Sequence, residues 1–253
     1  DTSTHFSGDF NQMQRYASLV KSSKQIYANK EDEFSKKLKG FHYAYQLTVD
    51  QILQMEKQHP ELLKDILEAG GEYMYVGLES MAEEVLSGIH KYAVIKDEKF
   101  QRKEEAIEHA LRYVKAQTSN GKTTNVGTSV LFGLKGETPQ TIDHTITRVG
   151  ELVQEGLIDL VSPNIYTFHP KSNLGASLQR TYGFEPNYTE IIDVKCPFTY
   201  FEEANPRNFS PLISHKDLLN IVERTEKEWK RMNKNKVHQL ETMDSYGNHV
   251  GDN

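Results

Sequence analysis

A single cysteine, Cys196, stands among 253 residues. An internal disulfide is excluded, which suits a reducing compartment and makes the cytoplasm the expected location. One thiol also cannot by itself hold an iron–sulfur cluster or a cysteine-rich zinc site. Apolar runs are short: none approaches the roughly 18 residues a membrane span needs, so no membrane association is expected. The opening DTSTHFSGDF is polar throughout and has no secretory h-region. Positive charge is not in excess either. Thirty Lys and Arg face 36 Asp and Glu for a net charge of -6, which argues against a general nucleic-acid-binding face. Phosphate-loop, nucleophile-elbow and HExxH zinc patterns are missing too.

What remains is an alternation of strands and helices. NQMQRYASLVKSSKQIY places Met13, Tyr16, Leu19, Val20 and Ile26 near helical spacing, and NKEDEFSKKLKG after it reads as a charged loop. FHYAYQL alternates, with Phe41, Tyr43, Tyr45 and Leu47 on one side and His42, Ala44 and Gln46 on the other. PELLKDILEAGG predicts a helix opening at Pro60 and closing at Gly70–Gly71. EYMYVGL is a strand, MAEEVLSGI a short helix, and residues 98–118 a long amphipathic helix ending at the Asn120–Gly121 turn. TTNVGTSVLFGL, TPQTIDHTITRVGELVQEG and LIDLVSPNIYTF continue as strand, helix and strand.

Alternation of this kind implies parallel strands with right-handed crossovers. The expected fold is α/β, a partial parallel (β/α) barrel over residues 1–175. An irregular C-terminal extension follows over 176–253, carrying a terminal helix at 214–232 that Ser214 could cap.

Parallel α/β folds hold ligands at the carboxyl ends of their strands. The residues to read there are the FSGDF segment, Gln46, GLES, FGLKGET and NIYTFHPKS, all polar where the strands behind them are apolar. Each has a plainer use. Ser80 could cap the next helix with Glu79 solvated beside it; Asp9 could cap the helix from Asn11; His42 could be a satisfied core histidine. Lys91 could reach a substrate or simply serve the end of its helix. Cys196 reads as a small apolar group.

The order GLES–helix–HK, FGLKGETPQT, YTFHPKS resembles the radical S-adenosylmethionine (SAM) superfamily, in the branch with cobalamin-binding and oxygen-independent coproporphyrinogen-oxidase-type members. The resemblance covers about residues 5–175. It implies a TIM-barrel-like enzyme that cleaves SAM reductively at a 4Fe-4S cluster and abstracts hydrogen from a small-molecule or peptide substrate. It leaves room for cobalamin. By the resemblance, Gly8 and Asp9 meet the SAM amino group, and Glu79 and Ser80 the ribose and methionine part. Val130, Leu131 and Gly133 hold the adenine, and the loop with Asn164 and His169 approaches the adenine or the substrate; Gln46, read from its strand alone, could line the barrel interior as a further cofactor contact. No acid, base, nucleophile or metal ligand is assigned. The family's CxxxCxxC loop is absent, and its place is expected upstream of Asp1. Two rivals belong to other classes. One is a metal-dependent barrel using His5, Asp9, Glu79 and His169; the other is a non-catalytic barrel scaffold.

Overall fold

The computed structural model describes residues 9–91, 99–119, 121–166 and 215–232. Helix α1 (Phe10–Ile26) starts at Asp9, whose carboxylate accepts the Gln12 N–H at 3.0 Å. The charged stretch expected as a loop contains a helix, α2 (Glu33–Lys39). Asp32 accepts from both the backbone N–H and the hydroxyl of Ser35, at 3.0 and 2.6 Å, and three lysines lie in the last turn, where the helix dipole favours them.

Strand β1 (Tyr43–Gln46) leads into α3 (Val49–Gln58), a helix the sequence reading passes over, and then α4 (Leu62–Ala69). Strand β2 (Gly71–Glu79) is followed by α5 (Glu83–Gly88) and α6 (Lys103–Ala116). The expected 98–118 helix is therefore shorter at both ends. Its last residues instead pair Thr118–Ser119 (β3) with Lys122–Thr123 (β4) in a small antiparallel ribbon. Strand β5 (Asn125–Phe132), helix α7 (Pro139–Gln154), strand β6 (Leu160–Ile165) and terminal helix α8 (His215–Met232) complete the described elements.

The main sheet runs in the order β1-β2-β5-β6, every pair parallel. Sequential order with right-handed crossovers sends each connecting helix to the same face. The burial pattern agrees. Met74, Val76 and Leu78 of β2 and Val126, Val130 and Phe132 of β5 are fully buried in one core with residues of the helices. Their neighbours Tyr73, Tyr75, Gly77, Glu79, Ser129 and Leu131 are only half-buried. Such a sheet is wound in one direction, not doubly wound, and its inner face is the one away from the core. The four strands do not close.

Helix α8 contacts β6 and α7, burying Leu218 and Trp229 in the same core as the sheet. The remainder of the expected C-terminal extension, Ser214 and Cys196 included, lies outside the described residues.

Candidate functional site

The inner face of the sheet can be read in rows across the strands. Gln46, Tyr75, Gly127 and Leu160 are register partners, and so are Gly77, Ser129 and Ser162. At the carboxyl rim Leu131 pairs with Asn164. The register slips between Gly77 and Glu79, so Glu79 sits opposite Val130. A bulge of this kind re-aims a side chain at a strand end.

Glu79 has φ 65, in the left-handed region that a non-glycine residue enters at a cost of about 1–3 kcal/mol. That turn folds its carboxylate back over Gly77. A Cβ at position 77 would come within 2.6 Å of Glu79 Oε1 and 3.5 Å of Lys91 Nζ, so a side chain there would push this pair aside. The Lys91 ammonium donates to Glu79 Oε1 at 2.9 Å, and Ser129 Oγ lies 3.5 Å from Glu79 Oε2. Glu79 is 17% and Lys91 26% exposed at the side chain, so the pair is shielded but reachable.

Burial, with the nearby Glu79 charge, pushes the Tyr75 hydroxyl above its usual range; a bond with Ser129 works in the opposite sense. Asp50 lies in the first turn of α3, just beyond the tip of β1. Burial pushes its carboxyl upward and the Lys91 ammonium partly offsets this. Its Oδ1 is buried with no hydrogen-bond partner among the described residues. The Lys91 ammonium thus bonds one carboxylate directly and acts on a second at longer range.

Beside this charged corner lies an apolar one. Ala82, Val85 and Leu134 form a small buried cluster against which Ile89, Leu131 and Tyr166 pack. Gly133 adopts φ 89 in the turn that follows β5. Glu137 reaches back into that turn, accepting the backbone N–H of Gly133 at 2.5 Å and of Leu134 at 3.2 Å. Its carboxyl is raised to about 7 by burial, which outweighs the two bonds.

The residues expected at the site divide. Gln46, Glu79, Leu131 and Asn164 lie on the inner face toward the rim, with Gly133 in the turn beyond β5. Ser80 and Val130 do not present their side chains there. Val130 is 0% exposed in the main core. Ser80 is also 0% exposed, its hydroxyl bonded to Thr145 Oγ1 at 3.1 Å and accepting the Ala82 N–H at 3.1 Å. Thr145 takes the Met81 N–H as well, so this pair fastens the turn after β2 to α7. The turn is the reason: Ser80 follows the left-handed Glu79 just past the end of β2, and its hydroxyl is held on the helix-covered side by Thr145.

Asp9 caps α1. Lys24, fifteen residues on, bonds the Phe41 carbonyl just before β1, so about 22 Å of helix separates Asp9 from that lower edge. Asp9 is therefore at the rim's end of the molecule. Gly8 and His169, with His5 and Tyr92, lie outside the described residues. Asp50, Tyr75, Ser129 and Glu137 were not singled out from sequence.

Among the described residues no group of three His, Cys, Asp or Glu is arranged to hold a metal ion, and no helix is long and apolar enough to cross a membrane. No family model and no curated protein matches the sequence. Among solved structures, coproporphyrinogen III oxidase from Escherichia coli, described as a radical SAM enzyme, is similar over 92% of this chain. The chain spans 44% of that protein, with 16% identity and a TM-score of 0.49.

Proposed function

We propose that the rim binds S-adenosylmethionine and that the chain is the SAM-holding part of a radical SAM enzyme. The observation that carries this reading is the Glu79 corner: a carboxylate turned into the left-handed region over Gly77 at the tip of an inner-facing strand. It stands in the segment whose sequence resembles the family's SAM-contacting motif.

The chemistry of the rim is consistent with the group. SAM carries a sulfonium and an ammonium, and the half-buried Glu79 carboxylate is an acceptor of the right charge for the ammonium. Its adenine is a flat ring whose faces stack on apolar groups, and Leu131 and Tyr166 offer a half-buried surface of that kind beside a glycine turn. Bound there, SAM would supply a reactive carbon–sulfur bond. The protein's own part is to hold the nucleoside end against β5 and the charged end against Glu79, and to limit water at both.

The 4Fe-4S cluster is a different matter. It needs several thiolates and the chain has one cysteine. This segment therefore does not hold a cluster, and no step through one is assigned to its residues. Substrate, whether small molecule or peptide, and cobalamin would be bound by surfaces other than the Glu79 corner.

Calorimetric titration of the folded protein with SAM tests the reading. Saturable heat is expected, and Glu79→Ala should weaken binding by about 1–3 kcal/mol, the scale of a lost charged hydrogen bond. Unchanged affinity in the variant would remove Glu79 from the site. Absence of any binding heat from an intact, folded chain would remove SAM.

A further inference from the structure

Two residues other than glycine have positive φ among the described residues, Glu79 at 65° and His90 at 56°. They bracket the segment that contains α5. Lys91, next to the second, reaches back to bond the carboxylate of the first at 2.9 Å. Backbone strain at both ends of one excursion is thus joined by a single ion pair. Strained residues persist where surrounding contacts over-determine them, and such contacts often serve a function. The Lys91 ammonium lies in front of the carboxylate that the proposed function assigns to the ligand, so the two must compete. The same ammonium acts on a second carboxyl, Asp50, whose Oδ1 is buried with no hydrogen-bond partner among the described residues.

We infer that Lys91 is an exchangeable counter-ion of the rim. It neutralises Glu79 until a ligand bearing its own ammonium or hydroxyl donors takes that carboxylate, and its head group then passes to Asp50. Lys91 and Asp50 are positioning residues in this scheme and act through Glu79. With ligand bound, the exchange leaves a charge of the right sign opposite each carboxylate, and a carboxylate shielded from water without one is costly. It also selects the ligand: a molecule without a donor for Glu79 does not displace the lysine. The nature of the ligand rests on the SAM reading; the lysine's two acceptors do not.

Two measurements separate these parts. In the first, amines are acetylated with an N-hydroxysuccinimide ester and quantified by peptide mass spectrometry, with exposed Lys64 as reference. Lys91 should be protected in the wild type and remain protected in Glu79→Gln, where Asp50 receives it. Only the Glu79→Gln/Asp50→Asn double variant should label like Lys64. Full labelling in Glu79→Gln alone, or protection that survives in the double variant, overturns the exchange. Should the double variant fail to fold, Asp50→Asn saturated with SAM serves instead: labelling of Lys91 supports the handover and protection overturns it.

The second measurement is SAM affinity. Lys91→Met, which removes the competitor, should tighten binding about fivefold, the factor expected of a partly exposed ion pair. Lys91→Arg should stay near the wild type. Weaker binding in Lys91→Met makes the lysine a direct ligand contact and overturns the competition. If no variant binds SAM while the labelling pattern holds, the SAM reading falls and the exchange stands.

Discussion

Glu137 shows how much one buried carboxyl can impose on a rim. It accepts two backbone N–H groups from the turn after β5, and burial still raises its pKa from 4.5 to about 7. The unfolded chain releases this proton near pH 4.5 and the folded one near 7, so in that window the folded state binds more protons. Stability from this residue is then fully present below about pH 4.5 and falls as pH rises toward 7, by on the order of 3 kcal/mol. Glu137→Gln keeps an acceptor without the titration. Its melting temperature relative to wild type is expected to be higher at pH 8 than at pH 5; an equal difference at both pH values would contradict the assignment. Glu79 and Gln46 were legible in the sequence because strand ends in parallel α/β folds face ligands. Ser80 lies past the left-handed Glu79 and is turned to the covered side, where Thr145 satisfies its hydroxyl. Asp50 was not legible, because the charge that acts on it, Lys91, is distant in sequence; Glu137 reads only as part of the loop before α7, and no pattern marks its turn back onto Gly133 and Leu134.

Elements were legible where apolar periodicity was long. Helices α1, α4 and α7 begin and end within two residues of their expected limits, and the inner and outer faces of β1 follow its alternation. The helices passed over, α2 and α3, are set by their first turns. The α3 start is a capping box: Thr48 Oγ1 accepts the Gln51 N–H at 3.2 Å while the Gln51 side chain accepts the Thr48 N–H at 2.8 Å. T-x-x-Q was the available signal, hidden between two stronger segments. Thr48→Ala should cost about 1 kcal/mol in chemical denaturation. Because Asp50 sits in that same turn, hydrogen exchange should also quicken at its first amides. A loss of stability under about 0.3 kcal/mol would mean that packing of Val49 and Ile52, not the cap, sets the start of α3.

At the scale of the molecule, a sheet wound in sequential order has one face covered by helices and one turned inward, and the site lies where the inner face meets the strand tips. Helix α8 completes the cover at the β6 end, although about fifty residues separate it from that strand in sequence. Trp229 is 4% exposed and donates its indole N–H to the Ile146 carbonyl of α7 at 3.3 Å, while Leu218 is fully buried. The same helix exposes Leu219 at 46%, so it has a definite inner side. If α8 belongs to this core, Trp229→Ala leaves a large void in the shared cluster and should cost about 3–5 kcal/mol, with Leu219→Ala near neutral. The loss should appear in one cooperative transition of the whole fold, seen alike by circular dichroism and by the protection of β5 amides. A separate early transition for α8, with β5 protection unchanged, would mean that the helix only rests on the sheet. Its contribution to β6, and through Asn164 to the rim, would then have to be withdrawn.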